Sequence, residues 1–319
     1  MPRLRCAILD DYFDLALSVA DWRRLSDRVD LTVFRHPFGS EKEAASALQG
    51  FEIICAMRER TAFPRTLFTA LPQLKLLLTS GMRNAAIDLE AAKAQQVIVA
   101  GTQYSRDPTS ALTFGLILEL TRGVGRENAR MHAGEAWQSF AGIELEGRTL
   151  GVVGLGKLGR KVAGIAKAFG MNVIAWSQNL TPEKCGEAGV GYATKEELFG
   201  TADIVTIHVV LSERSRGLVG RDDLARMKPS AYLVNTSRGP IVDEQALLEA
   251  LRDKRIAGAG LDVFSVEPLP TDHPFRSLDN LVLTPHLGYA TADGLRVHYG
   301  QMVEAIEAWL KGDVPRRIA

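Results

Sequence analysis

Residues 149–153 form a short β-rich apolar run, and Gly154-Leu155-Gly156-Lys157-Leu158-Gly159 follows it directly. A helix-patterned segment, 157–169, comes next. A lone G-x-G-x-x-G is weak evidence, since glycine is common in turns, but a strand before it and a helix after it leave few folds open. In that setting Gly154 permits the tight turn, Gly156 lets the backbone approach a pyrophosphate, and Gly159 lets helix and strand pack closely. The free amides at the helix start, around Lys157 and Leu158, then hold the phosphates.

The rest of the chain alternates in the same way. In the first third, 4–9, 31–34, 51–56, 74–78 and 97–99 read as strands, and 15–25, 41–48, 64–70 and 89–95 have helical spacing. Strands alternating with helices mean βαβ units and a parallel sheet. No glycine loop follows the first strand, so the nucleotide is not expected in this half. Residues 109–131 then read as one long helix and 133–146 as an extended arm. A second series follows, with strands at 149–153, 172–176, 204–208, 231–234, 257–261 and 281–283. Six strands with interposed helices fit a two-halved doubly wound sheet. The last helix, about 290–310, carries Leu295, Tyr299, Met302, Ile306 and Trp309 on one face, which predicts that the chain crosses back and packs on the first domain.

Bulk properties narrow the function classes. With 319 residues the chain can bury a full core in each of two domains. Lysine plus arginine and aspartate plus glutamate number 38 each, so no global field favours nucleic acid or an anionic membrane. Cys6, Cys55 and Cys185 form no close pair in sequence, which disfavours a disulfide framework and a thiolate zinc site and suits a reducing cytoplasm. Asp10 and Asp11 interrupt the start before a signal-peptide apolar stretch develops. His36, His132, His208, His273 and His298 form no ligand-like cluster, so no metal is expected. The reading is a soluble, cytoplasmic protein.

Three islands share a placement just past strand ends. Asn235-Thr236-Ser237-Arg238-Gly239 follows 231–234, Asp262-Val263-Phe264-Ser265-Val266-Glu267-Pro268 follows 257–261, and Thr284-Pro285-His286-Leu287-Gly288 follows 281–283. Open parallel sheets bind ligands at that edge. Singly, each residue has a bland reading: Arg238 as a solvated loop cation, Glu267 as a cap, His286 as a turn residue. Three in order on successive strand ends describe hydride chemistry on a small anionic carbonyl or hydroxy compound. Such chemistry needs a proton donor at the oxygen, a cation for the substrate and a planar hydride donor. His286 is then the general acid/base. Glu267 would fix its tautomer and favour its charged form. Arg238 offers a fork that can bridge a carboxylate and the reacting oxygen, and Asp262 is placed to bind the nicotinamide amide.

With these motifs in view, the chain resembles the D-isomer-specific 2-hydroxyacid dehydrogenases over essentially its whole length. The family's arginine, glutamate and histidine fall on Arg238, Glu267 and His286, and its nicotinamide-binding aspartate on Asp262. The resemblance implies an α/β architecture of two doubly wound parallel-sheet domains. A Rossmann dinucleotide-binding domain (102–287, including the long helix and arm, 109–146) is inserted in a flavodoxin-like substrate domain (1–101 with 288–319). It also implies a cleft that closes on its ligand and a homodimer built through the long helix and arm. Val209, Thr236 and Gly288 join the expected cofactor wall.

The cofactor and substrate ends depart from the family pattern. Where an acidic residue normally meets the adenosine ribose, this chain has Trp176-Ser177-Gln178-Asn179, with no carboxylate until Glu183. NADP is therefore expected to be tolerated or even preferred over NAD, although no arginine is expected beside Ser177, Gln178 and Asn179 to pair with the 2′-phosphate. The loop that the resemblance assigns to the substrate carboxylate reads Thr79-Ser80-Gly81-Met82-Arg83, with Met82 and Arg83 in place of the family's usual residues. Arg58 and Arg83 either give the site charge for a second anionic group or pair with surface acids. A 2-oxo acid reductase is the first reading. A nucleotide-sensing binding protein of the corepressor kind and a phosphite dehydrogenase stand as alternatives, whereas Glu267 argues against a formate dehydrogenase, which carries glutamine there.

Overall fold

The computed structural model describes residues 2–104 and 106–319. The chain divides into two compact units, Met1–Arg106 with Ala290–Ala319, and Asp107–Tyr289.

In the first unit the elements run β1 (Leu4–Ile8), α1 (Ala16–Val19), β2 (Val29–Val33), α2 (Glu41–Ala47), β3 (Ile53–Ala56), α3 (Arg65–Ala70), β4 (Leu76–Thr79), α4 (Leu89–Ala94) and β5 (Ile98–Gly101). All five strands are parallel, in the order β2-β1-β3-β4-β5, which is the flavodoxin-like arrangement. β3 and β4 are buried at every position, as expected for strands covered on both faces. The segment expected as one helix at 15–25 is instead α1 followed by a 3-10 turn, Trp22–Leu25. The Asp11 carboxylate accepts from the amides of Leu15 and Ala16 and fixes where α1 begins.

The second unit holds α5 (Thr109–Arg122), α6 (Val124–His132), β6 (Thr149–Val153), α7 (Lys157–Ala168), β7 (Asn172–Trp176), α8 (Pro182–Glu187), β8 (Gly191–Tyr192), α9 (Lys195–Thr201), β9 (Ile204–Ile207), α10 (Arg221–Arg226), β10 (Tyr232–Asn235), α11 (Glu244–Arg252), β11 (Gly258–Leu261) and β12 (Leu281–Leu283). The sheet is parallel throughout, ordered β12-β11-β10-β9-β6-β7-β8. It has seven strands rather than six, because two-residue β8 is too short to show as an apolar run. Chain order reverses between β9 and β6, so the switch point lies beside the glycine loop. α5 and α7 share one core with β6, and α9, α10 and α11 share another on the opposite face. The final helix, α12 (Ala292–Trp309), packs on α1 and the 3-10 turn of the first unit, burying Leu295, Tyr299, Met302 and Ile306.

The single long helix expected over 109–131 is broken. Gly123 adopts a left-handed conformation (φ 60°) and ends α5, its amide bonded to the Glu119 carbonyl, as glycine does at helix C-termini. The Glu119 carboxylate then accepts from Gly125 and Arg126 and starts α6. The arm is not freely extended either. Ile143 donates to the Thr121 carbonyl, Ser139 bonds Glu127, and Arg126 stacks on Phe140 at 4.1 Å.

Candidate active site

The glycine loop has the geometry its spacing demands. Gly154 sits at φ 100°, where a side chain would be strained. A Cβ on Gly159 would lie 2.0 Å from the Gly154 carbonyl oxygen, so only glycine lets α7 approach β6 this closely. A Cβ on Gly156 would meet nothing within 4 Å. That open, exposed backbone at the first turn of a 12-residue helix is where a pyrophosphate would rest, so these residues fit a dinucleotide. Lys157 pairs with Asp107 at 3.0 Å, and half-buried Leu158 packs on the α5–α7 core. Val209 borders Gly154, while Thr236 is bonded to Thr113 at 2.9 Å.

β10, β11 and β12 deliver the three islands to one sheet edge. His286 Nδ1 lies 2.6 Å from Glu267 Oε2, and Glu267 Oε1 accepts the Phe264 amide at 3.0 Å. An ionised carboxylate only accepts, so against it Nδ1 carries a hydrogen and Nε2 faces away from the pair. The edge of the His286 ring meets Tyr289, 5.7 Å between centroids. Gly239 explains how the arginine island comes near: its Cβ would lie 2.1 Å from the Phe264 carbonyl carbon. The Arg238 turn therefore abuts the loop that carries Glu267. Asn235 holds that turn, donating to the Arg238 carbonyl and accepting from the Ser237 amide, while Arg238 Nη1 donates to the Ser237 carbonyl at 2.8 Å.

Asp262 holds the His286 loop from below. Fully buried, its carboxylate accepts from Thr284 Oγ1 (2.6 Å), Leu287 N (2.7 Å) and Gly288 N (2.8 Å). It thereby pins both sides of His286, whose backbone is left-handed at φ 53°. Such a conformation costs about 1–3 kcal/mol in a residue with a side chain and persists only where the surroundings enforce it. Burial pushes the Asp262 carboxyl above its usual range, opposed by these bonds and by the charge of His286. The Gly288 carbonyl accepts from Thr109 at 2.9 Å.

The end of β7 corrects one expectation. Ser177, Gln178 and Asn179 line a cleft of about 400 Å³ together with Val209 and Ser215. An arginine does stand there: Arg214, 36 residues further on, donates from Nε and Nη2 to Gln178 Oε1 at 3.2 and 2.8 Å. Distance along the chain hides this neighbour in the sequence. In a parallel sheet every loop after a strand opens on the same edge, and the loop after β9 is one of these. His208, at the end of β9, is pushed by burial to a pKa of about 4 and stays neutral.

In the first unit, Arg58 and the 80–83 loop form one cluster. The Arg58 amide donates to Ser80 Oγ at 2.8 Å, and a Cβ on Gly81 would lie 2.8 Å from Arg58 Nη1, so the guanidinium covers Gly81. Arg58 also lies 3.9 Å from Glu59. Met82 is half-buried and Arg83 exposed. Thr102 accepts the Gly81 amide and bonds His298 Nδ1 at 2.6 Å. Among the described residues, no group of three or more histidine, cysteine, aspartate or glutamate side chains is arranged to hold a metal, and no helix is long and apolar enough to cross a membrane.

The second unit thus carries a glycine-loop sheet with an imidazole–carboxylate pair and an arginine turn at the edge where such sheets bind ligands. Residues 114–288 match the D-isomer specific 2-hydroxyacid dehydrogenase NAD binding domain. The chain is 37% identical over 269 residues to D-3-phosphoglycerate dehydrogenase of Methanocaldococcus jannaschii, covering 83% of this chain and 51% of that protein. It is 37% identical over 253 residues to glyoxylate reductase of Thermococcus litoralis, covering 76% of each. A crystal structure of a phosphoglycerate oxidoreductase from Vibrio cholerae superposes with a TM-score of 0.92 at 32% identity, covering 97% of this chain and 100% of that one. The chain belongs to the D-isomer-specific 2-hydroxyacid dehydrogenase family. It spans about half the length of the phosphoglycerate dehydrogenase it matches.

Proposed function

We propose that this protein reduces a small 2-oxo acid to the D-2-hydroxy acid, or runs the reverse, with NADP accepted as well as NAD. The observation that carries this reading is the 2.6 Å contact between His286 Nδ1 and Glu267 at the ligand edge of a dinucleotide-type sheet. A bound nicotinamide dinucleotide supplies or accepts the hydride. His286 gives a proton from Nε2 to the carbonyl oxygen during reduction and takes it back during oxidation. Glu267 balances the imidazolium and fixes the ring, and Arg238 holds the substrate's oxygens. The amides at the start of α7 hold the phosphates.

The unit Asp107–Tyr289 is the dinucleotide-binding domain in this proposal, and the other unit supplies the substrate loop. Arg58, Ser80, Gly81, Met82 and Arg83 take the substrate's anionic groups, with the two arginines favouring an acid that carries a second one. A homodimer through α5, α6 and the arm would cover Val124, Met131 and Trp137, which are 64%, 56% and 73% exposed. Three free cysteines fit a reducing cytoplasm. The test is loss of nicotinamide absorbance with NADPH and NADH in parallel against glyoxylate, hydroxypyruvate, pyruvate, phenylpyruvate and 2-oxoglutarate. Turnover of any of these supports the reductase. Silence across the panel with cofactor binding intact would favour a sensor.

A further inference from the structure

We propose that Arg214 is the residue that reads the adenosine 2′-phosphate, so that the cleft at the end of β7 selects NADP(H) over NAD(H); this rests on the nicotinamide-dependent reading above. Discrimination between the two cofactors lies in one group, a hydroxyl or a phosphate dianion at the ribose 2′ position. A site for the hydroxyl form presents a carboxylate that accepts from the ribose diol. Here Ser177, Gln178 and Asn179 fill the position, and the first acid after them, Glu183, lies beyond them in α8. Nothing in the segment that directly follows β7 accepts with charge or repels a phosphate.

Arg214 supplies the opposite sign. Its Nε and Nη2 converge on a single acceptor, the neutral Gln178 Oε1, while Gln178 Nε2 donates back to the Arg214 carbonyl at 3.2 Å. Nε and Nη2 are a pair of donors that a guanidinium can direct, side by side, at two oxygens of a phosphate. An amide oxygen is a weaker acceptor than a phosphate oxygen, so a phosphate can displace it. Among the described residues Arg214 forms no ion pair with a carboxylate, which leaves its charge uncompensated by the protein.

The arginine is also held in place. Ser215, buried beside it, accepts the Ser212 amide at 2.7 Å and donates to the Val210 carbonyl at 2.7 Å. These bonds close the 210–215 loop into a fixed turn. An exposed arginine on a mobile loop would lose much of its gain to ordering, whereas this one is presented at a set position on the cleft wall. Ser177 and Asn179 add neutral donors on the same cleft.

The test reads binding without turnover. 2′,5′-ADP and 5′-AMP differ only by the phosphate in question, and each is titrated calorimetrically into the unaltered chain and into Arg214→Ala, Arg214→Lys and Gln178→Glu. Charge-assisted bonds of this kind predict 2′,5′-ADP tighter by about tenfold to a hundredfold. The ratio should fall close to one in Arg214→Ala, recover in part in Arg214→Lys, and fall in Gln178→Glu, where the new carboxylate takes the arginine and repels the phosphate. Equal affinities in the unaltered chain, or a ratio that survives Arg214→Ala, would overturn the assignment, even if 2-oxo acids are reduced with NADH. Tight 2′,5′-ADP binding that is lost in Arg214→Ala would uphold it even if no 2-oxo acid is turned over.

Discussion

Glu267 bonds the imidazole of His286 through one oxygen and the Phe264 amide through the other, at 2.6 and 3.0 Å. The carboxylate is therefore clamped by its own loop before it orients the ring. In the proposed reaction His286 is the proton donor, so His286→Ala should lower kcat by about 10²- to 10⁴-fold and leave cofactor affinity nearly unchanged. Glu267→Gln keeps the shape but can donate to Nδ1 and reverse the tautomer, so kcat should fall by at least about tenfold. Steady-state kinetics beside a cofactor titration measures both, and near-normal turnover in His286→Ala would remove it from the chemistry.

Asp262 holds the His286 loop through three hydrogen bonds. Asp262→Ala releases the left-handed backbone at His286 and leaves two loop amides without their partner. Thermal denaturation should show a loss of at least about 2 kcal/mol, with kcat reduced as well. An unchanged melting temperature would mean that the loop is held by other contacts.

Glycines 156 and 159 should respond oppositely to alanine. Gly159→Ala forces a methyl against the Gly154 carbonyl and should destabilise the fold by about 1–3 kcal/mol. Gly156→Ala meets open space, so stability should hold while cofactor affinity drops by about tenfold or more. Calorimetric melting and cofactor titration of the two variants separate packing from phosphate approach.

His208 and His298 are both held near a pKa of about 4, His208 by burial and His298 by burial and then the charge of Arg58. In the unfolded chain they titrate near 6.5. Between those values the unfolded state binds protons that the folded state refuses, so their contribution is complete above pH 6.5. It is lost as pH falls toward 4, at no more than about 1.4 kcal/mol per pH unit for each imidazole. Asp10 and Asp262, raised by burial, oppose this at the acid end. Melting temperatures from pH 7 to pH 4 should fall less steeply in a His298→Gln variant, and equal slopes would argue against the assignment.

The Arg58 guanidinium covers Gly81 of the loop proposed to bind substrate. Arg58→Gln should lower kcat/KM by about tenfold or more, mostly through KM, with a larger loss for 2-oxoglutarate than for glyoxylate. An equal loss for both would remove the second-anion role.

The sequence by itself determined the two alternating series, the glycine loop and the order of Arg238, Glu267 and His286, because strand–helix periodicity and strand-end placement are local properties of the chain. Its one long helix failed at Gly123, where a single left-handed residue ends one helix and a carboxylate four residues earlier starts the next. The eighth strand was invisible because two residues cannot show a period. Tertiary structure alone decided what lies opposite what. It set Arg214 on Gln178, Cys6 Sγ 3.9 Å from Cys55 Sγ on neighbouring strands, and Asp262 beneath the loop of His286. The first two pairs are separated by 36 and 49 residues along the chain, and only the lateral order of parallel strands brings such distant segments together.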